Sequence, residues 1–185
     1  MKPARPVILA EGGAVEPRHT GPFKLYEKDK AGIILHDVLF VPFFAGAAGG
    51  GQCWHWAEYV DRNNLWSQFR GLADVVKGID PAAEAFAPMM FDHPRLRVYI
   101  LKGKRTTLVW CRDTQNTWQA ELEQGKQPEE LSGLSLALEP IVPLAGKKIS
   151  SYNPWTRTAA PLAARGGDLP LPSFSRSIVV RLESQ

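Results

Sequence analysis

The order of apolar and polar residues changes near residue 82, and the part before that point predicts alternating strands and helices. Residues 7–10 form an unbroken apolar run that ends at Glu11 and two glycines. A run without polar alternation is typical of a strand covered on both faces, as in a parallel sheet. Apolar residues at helical spacing then predict a helix over residues 29–44, with Asp29 as its N-cap and a kink or end near Pro42.

A turn rich in glycine and alanine separates this helix from a second pair of elements. Residues 52–56 form a short run weighted with aromatic side chains, which predicts a strand. Residues 57–64 are polar and loop-like, and apolar residues over 65–79 then predict a second amphipathic helix that ends at Asp80. The order strand, helix, strand, helix implies that the two strands run parallel.

After residue 82 the pattern follows the two-residue period of β-strands. Residues 95–101 alternate, and residues 106–111 resume the alternation after a Lys-Gly-Lys turn, which predicts a β-hairpin. Further strands are predicted at residues 117–122, 134–138, 147–152 and 177–183. Their spacing is typical of a small antiparallel β-sandwich. We therefore predict an α/β part over residues 1–82 and an all-β part over residues 83–185.

Composition limits the class of protein. The chain has 185 residues, of which 44% are hydrophobic, so it can bury a core. The formal net charge is only +3 and the basic residues are scattered, which argues against a nucleic-acid partner. Cys53 and Cys111 lie outside any C-x-x-C pair, so we expect buried thiols rather than a zinc or redox site. Polar residues interrupt the most apolar segment, residues 33–48, so we predict a soluble chain without a membrane span.

Glu11 is the first candidate for chemistry. In parallel sheets of α/β proteins the functional groups lie where strands end, and Glu11 directly follows the first predicted strand. The two glycines after it permit a tight turn or a close backbone approach. The alternative is that Glu11 is a solvated carboxylate that caps the strand end.

The last two βα units of a clan A glycoside hydrolase (β/α)8 barrel resemble this order of features. The resemblance rests on the strand ending in Glu-Gly, the helix containing His36, the Gly/Ala-rich turn, the strand Gln-Cys-Trp-His-Trp at 52–56 and Tyr-Val-Asp-x-Asn-Asn-Leu at 59–65. Such barrels are often followed by a small β-sandwich, and residues 168–182 are similar to the end of one. The resemblance covers nearly the whole chain and implies a partial TIM barrel of two βα units followed by that sandwich.

The resemblance implies part of a retaining glycoside hydrolase that acts on an oligo- or polysaccharide without a cofactor or metal. In that clan the glutamate ending the seventh strand is the nucleophile, and Glu11 stands at that place. A tryptophan ending the eighth strand forms the floor of the sugar subsite. That role falls on Trp54 or Trp56, with Trp56 preferred as nearer the strand end and filling of the barrel interior as the alternative. His19 and Tyr59 are candidates to donate hydrogen bonds to substrate hydroxyls, with an ordinary loop position as the alternative for each.

A retaining mechanism also needs a second carboxyl, about 5 to 5.5 Å from the nucleophile, to protonate the leaving oxygen. The clan takes this group from the end of its fourth strand, and the sequence begins just before the strand that resembles the seventh. Glu16, Glu58 and Asp61 are candidates for this group on the same face, each with a solvated loop charge as its simpler interpretation. We therefore expect the chain alone to be inactive. Because two strands cannot close a barrel, we also expect self-association or a loosely folded first part.

A second hypothesis places the function in the predicted β-sandwich. A non-catalytic carbohydrate-binding or interaction module would display an exposed indole on which a sugar could stack. The candidates after residue 82 are Trp110, Trp118 and Trp155. Trp110 lies within an apolar run and has the pattern of a core residue.

Overall fold

The computed structural model describes residues 6–184, which contain both helices and sheet and divide into two compact units. The first unit comprises the residues up to Asp74 together with Thr117–Lys126, and the second comprises Val75–Asn116 and the residues from Gln127 onward. The apolar pattern, which predicts one boundary after residue 82, does not reveal that Thr117–Lys126 belongs with the first unit.

The regular elements of the first unit are helical. They are 3-10 helices at Pro17–His19 and Lys24–Glu27, α1 (Ile33–Phe44), a π-helix at Trp56–Asp61, α2 (Trp66–Val76) and a π-helix at Gln119–Glu123. The last two residues of α2 fall in the second unit. Both predicted α-helices are confirmed, although each is shorter than expected. Helix α1 ends two residues beyond Pro42, which agrees with the predicted end. No helix within residues 6–184 has the length and hydropathy that crossing a bilayer requires.

Three of the predicted strands are wrong. The segments at residues 7–10 and 52–56 are extended but meet in only one parallel bridge, between Gly12 and Cys53. The segment at residues 117–122 lies largely in the π-helix Gln119–Glu123, in which Ala120 and Leu122 are buried although their two-residue spacing is typical of a strand. The first unit is therefore not a regular parallel sheet.

The second unit carries the β-structure. It begins with α3 (Pro81–Glu84). Within the described residues the strands are β1 (Ala87–Asp92), β2 (Leu96–Lys102), β3 (Thr106–Asp113), β4 (Glu130–Leu131), β5 (Ser135–Leu136), β6 (Lys147–Asn153), β7 (Thr158–Leu162), β8 (Leu169–Pro170), β9 (Phe174–Ser175) and β10 (Ser177–Ser184). The predicted hairpin is confirmed as β2 and β3, which pair antiparallel from Leu96 opposite Asp113 to Lys102 opposite Thr107.

Six of these strands form one antiparallel sheet in the order β1-β2-β3-β10-β6-β7. The remaining four form two short ribbons, β4 with β9 and β5 with β8. Sheet and ribbons share one core, in which Val98, Val109 and Val180 of the sheet belong to the same cluster as Leu136 and Phe174 of the ribbons. The antiparallel pairing predicted after residue 83 is therefore confirmed, as one six-stranded sheet with two short ribbons.

A buried carboxylate fixes the turn between β2 and β3. Glu84 is 4% exposed and accepts hydrogen bonds from the backbone N–H groups of Arg105 (2.8 Å) and Thr106 (3.1 Å) and from the Thr106 hydroxyl (3.1 Å). The adjacent Gly103 has no room for a side chain, because a Cβ there would lie 2.6 Å from the Thr106 carbonyl oxygen. The carboxylate therefore anchors the end of α3 to the hairpin.

We expect the second unit to lose stability in acid through Glu84. Burial alone would raise the pKa of Glu84, but the hydrogen bonds from Arg105 and Thr106 outweigh burial and lower the pKa. Because the pKa is lower in the folded state, this stabilisation is complete above the unfolded value of about 4.3 and is lost as the pH falls through the folded pKa. Glu84→Gln should cost about 1–2 kcal/mol of unfolding free energy at pH 7, measured by urea denaturation, and the difference from wild type should shrink below about pH 4. Glu130→Gln, at an exposed site, is the control; a constant difference across pH would contradict the assignment.

Candidate active site

The two segments predicted as barrel strands lie side by side and run in the same direction. The Gly12 N–H donates to the Gln52 carbonyl oxygen (2.7 Å), and the Trp54 N–H donates to the Gly12 carbonyl oxygen (2.9 Å). This pair of bonds is the repeating unit of a parallel ladder. Helix α1 occupies the chain between the two segments, so the connection is a crossover of the type that joins parallel strands.

Helix α1 covers part of the bridge between the two segments, and two exposed side chains flank the bridge. A Cβ at Gly12 would lie 3.6 Å from a methyl group of Val38 in α1. Cys53, the bridge partner of Gly12, is 1% exposed, and its Sγ atom lies 4.0 Å from the Cβ position of Gly13. Glu11 directly precedes Gly12 and is exposed, and Trp54 directly follows Cys53 and is 61% exposed. The bridge thus brings an exposed carboxylate and an exposed indole onto neighbouring segments.

The turn after Glu11 depends on a glycine packed against a tyrosine. Gly13 has φ of 142°, and a Cβ there would lie 2.9 Å from the Tyr26 hydroxyl. That hydroxyl accepts a hydrogen bond from the Ala14 N–H (2.6 Å). Burial raises the pKa of Tyr26 to about 12, although the Ala14 bond opposes the rise, so the phenol stays protonated at neutral pH. The backbone that carries Glu11 is therefore tied to the interior of the first unit.

His55 places a second polar group next to this turn. Its Nδ1 atom is buried, has no hydrogen-bond partner within residues 6–184 and lies 3.9 Å from the Cβ position of Gly13. Its ring centroid is 5.6 Å from that of Tyr26. Neither Tyr26 nor His55 is a predicted site residue. Tyr26 lies in an irregular stretch where periodicity carries no signal, and the two-residue pattern marks His55 only as opposite in direction to Trp54.

Tyr59 does not lie where a substrate could reach it. It is fully buried, its ring stacks on Tyr26 at 4.0 Å, and its hydroxyl donates to Asp29 Oδ2 (2.6 Å). Burial and the negative charge of Asp29 raise the pKa of Tyr59. The prediction of Tyr59 as a substrate contact is therefore wrong. The Tyr59 ring instead packs against the ring of Tyr26.

Trp54 and Trp56 belong to different surfaces. Trp56 begins the π-helix, and its ring stacks on Trp66 (5.7 Å) and Phe69 (5.5 Å) of α2. Trp54, in contrast, directly follows the bridge residue Cys53. His19 falls in the 3-10 helix Pro17–His19, and its side chain lies outside the described part of the chain.

The other ionisable groups have ordinary structural positions. Glu16 accepts a hydrogen bond from the Lys24 N–H (2.7 Å), and both Glu58 and Asp61 are exposed. Cys53 and Cys111 are free and buried as predicted, and burial raises the pKa of each thiol. Among residues 6–184 no group of three or more histidine, cysteine, aspartate and glutamate side chains is placed to hold a metal ion.

Comparison with known proteins adds no assignment. No protein-family model matches the chain, and no curated protein matches it.

Proposed function

We propose that this chain is the C-terminal portion of a retaining glycoside hydrolase, in which Glu11 is the nucleophile and Trp54 is the platform for a sugar ring. The observation that carries the proposal is that two exposed residues, Glu11 and Trp54, directly flank the parallel bridge between Gly12 and Cys53. A carboxylate can attack the anomeric carbon, and an indole can stack on the apolar face of a pyranose.

The exposure of the first segment also supports the proposal of a partial barrel. In a (β/α)8 barrel the helices cover the outside of the strands, and the inner face carries the layers of side chains. Val38 of α1 lies over Gly12 of the bridge, and Glu11 and Trp54 on either side of the bridge are exposed. Val7, Ile8 and Leu9 are 57%, 67% and 40% exposed, which is unusual for three consecutive aliphatic residues. We propose that further strands, or a second copy of the chain, cover this segment.

The acid/base group is proposed to come from outside the described residues. Glu16 is engaged by the backbone of Lys24, and Glu58 and Asp61 lie on the exposed π-helix. The chain alone is therefore expected not to turn over ordinary glycosides. In the complete mechanism the missing carboxyl would protonate the leaving oxygen while Glu11 forms the covalent bond to the sugar.

The second unit gives less support to the alternative of a carbohydrate-binding module. Trp110 is fully buried, and the ring of Trp155 is half-buried with the Arg176 guanidinium 4.7 Å from its centroid. Trp118 belongs to the first unit. The carbohydrate-binding module therefore stays a prediction, and among the described residues of the second unit no exposed indole supports it.

We expect Trp54→Ala to weaken oligosaccharide binding about tenfold, because loss of ring stacking costs about 1–1.5 kcal/mol. Indole signals in 1H–15N NMR spectra, recorded while neutral oligosaccharides are titrated, give the dissociation constant. Trp66→Ala is the matched control, since Trp66 is 47% exposed on another surface. Equal weakening by both variants would contradict a specific role for Trp54. The proposal that Glu11 is the nucleophile depends on whether an activated glycoside can trap Glu11 covalently.

A further inference from the structure

A cavity of about 180 Å³ lies in the first unit, beside the 3-10 helix Lys24–Glu27. Its lining includes Phe23, Lys24, Tyr26, Glu27, Glu58 and Arg62. Glu58 comes from the π-helix Trp56–Asp61, and Arg62 directly follows that helix. π-Helical turns are rare and occur frequently at functional sites.

The lining combines an aromatic wall with charges of both signs. Phe23 packs edge-on against Tyr26 (5.9 Å) and Trp118 (5.3 Å), which fixes its ring. Lys24 and Arg62 can donate hydrogen bonds, and Glu27 and Glu58 can accept them. Arg62 Nη1 and Glu27 Oε1 are 3.7 Å apart, and both side chains are more than half exposed. Because such exposed ion pairs contribute little stability, both side chains can change rotamer and contact a ligand at small cost.

The equal number of positive and negative side chains limits the kind of ligand that the cavity can bind. An apolar ligand would strip water from four charged groups without replacing their hydrogen bonds. A ligand of one charge would meet two groups of its own sign. A neutral polyhydroxylated ring satisfies both kinds of group, because each hydroxyl donates and accepts, and its C–H face can rest on an aromatic ring.

Two hydrogen bonds join the cavity to the loop that follows Glu11. Tyr26 accepts from the Ala14 N–H at 2.6 Å, and the Lys24 N–H donates to Glu16 Oε1 at 2.7 Å. Ala14 and Glu16 lie three and five residues after Glu11. The cavity is therefore next to the loop that leads away from the proposed nucleophile.

We propose that this cavity binds one neutral pyranose unit and is a sugar subsite beside the loop that follows Glu11. Its place in a substrate rests on the proposed glycosidase function, whereas its binding of a pyranose rests on the lining alone. Arg62 and Glu58 are the polar anchors, and Phe23 is the aromatic wall.

The test is titration of the chain with methyl hexopyranosides, followed by 1H–15N NMR of the Phe23–Glu27 amides and the Arg62 side chain. We expect millimolar dissociation constants that weaken about tenfold in Arg62→Ala and in Glu58→Ala. Arg70→Ala is the matched control, because Arg70 is an exposed arginine of α2 outside the cavity and should leave binding unchanged.

Three results would overturn the proposal. The first is the absence of shifts at these positions up to about 100 mM glycoside, roughly a hundred times a dissociation constant of 1 mM. The second is equal binding of the glycosides by Arg62→Ala and wild type. The third is tighter binding of acetate or glycine than of the glycosides. Failure to trap Glu11 covalently, with binding at the cavity intact, would refute the glycosidase function and leave the cavity a pyranose site. Trapping without binding here would refute the cavity alone.

Discussion

Replacing Asp29 by alanine should lower the unfolding free energy of the first unit by about 3–5 kcal/mol. Asp29 is fully buried, and its carboxylate accepts from the N–H groups of Ile33 (2.8 Å) and Ile34 (2.9 Å) and from the Tyr59 hydroxyl (2.6 Å). The substitution removes all three bonds and leaves three buried donors without an acceptor. Chemical denaturation followed by far-ultraviolet circular dichroism measures the loss.

Two variants make the Asp29 prediction specific. Asp61→Ala removes an exposed carboxylate from the same unit and should change stability by less than about 0.5 kcal/mol. Tyr59→Phe removes one of the three donors and should cost about 1–2 kcal/mol, with less than additive loss in the double variant. If Asp29→Ala unfolds within about 1 kcal/mol of wild type, the buried carboxylate does not organise this unit.

Asp29 also shows what sequence patterns can and cannot predict about a helix. The periodicity of α1 and its end near Pro42 were readable, because they depend on neighbours within two turns. The helix begins four residues later than predicted, after Gly32 in a left-handed conformation. Asp29 still bonds the first N–H groups, as an N-cap does, but it reaches them from a position that periodicity cannot specify.

Strand predictions succeeded where the strands have neighbours. The hairpin of β2 and β3 has its partner close in sequence, and all eight residues of β3 are buried in the middle of a six-stranded sheet. The run at residues 7–10 predicts burial on both faces, yet Val7 and Ile8 are more than half exposed. The pattern of that run is typical of a strand covered on both faces, and residues 6–184 by themselves do not cover it. β7 was not predicted, because its five residues are mostly exposed and show no alternation.

The candidate site was likewise predictable only in part. The Glu-Gly-Gly signature predicts a carboxylate at a strand end, and the structure places Glu11 beside the Gly12–Cys53 bridge. The separation of Trp54 from Trp56 was not predictable, because the two residues have the same direction in a strand and diverge only when the π-helix begins at Trp56. Tyr26 and His55 reach the Glu11 turn through tertiary packing, which no local pattern encodes.

The prediction with the largest effect concerns covalent trapping on Glu11. A 2,4-dinitrophenyl 2-deoxy-2-fluoroglycoside carries a leaving group that departs as an anion without protonation, so the missing acid is not needed for the first step. Glu11 would form an ester bond to the anomeric carbon while the bond to dinitrophenolate breaks and its electron pair leaves with the phenolate. Intact-protein mass spectrometry should show one added fluoroglycosyl group, and peptide mapping should place it on Glu11.

The trapped ester should persist, because its hydrolysis needs the same missing carboxyl as a general base, a contribution of about 10²–10⁴ in rate. Glu11→Gln should abolish labelling, a loss of more than about 10³-fold, because an amide is a far weaker nucleophile than a carboxylate. Glu16→Gln, five residues further along the same loop, should label at nearly the wild-type rate and is the matched control. A panel of gluco-, galacto- and manno-configured reagents covers the common stereochemistries. Labelling of another carboxylate, or equal labelling of Glu11→Gln, would show that Glu11 is not the nucleophile, since an exposed glutamate without a sugar platform has no reason to react ahead of its neighbours.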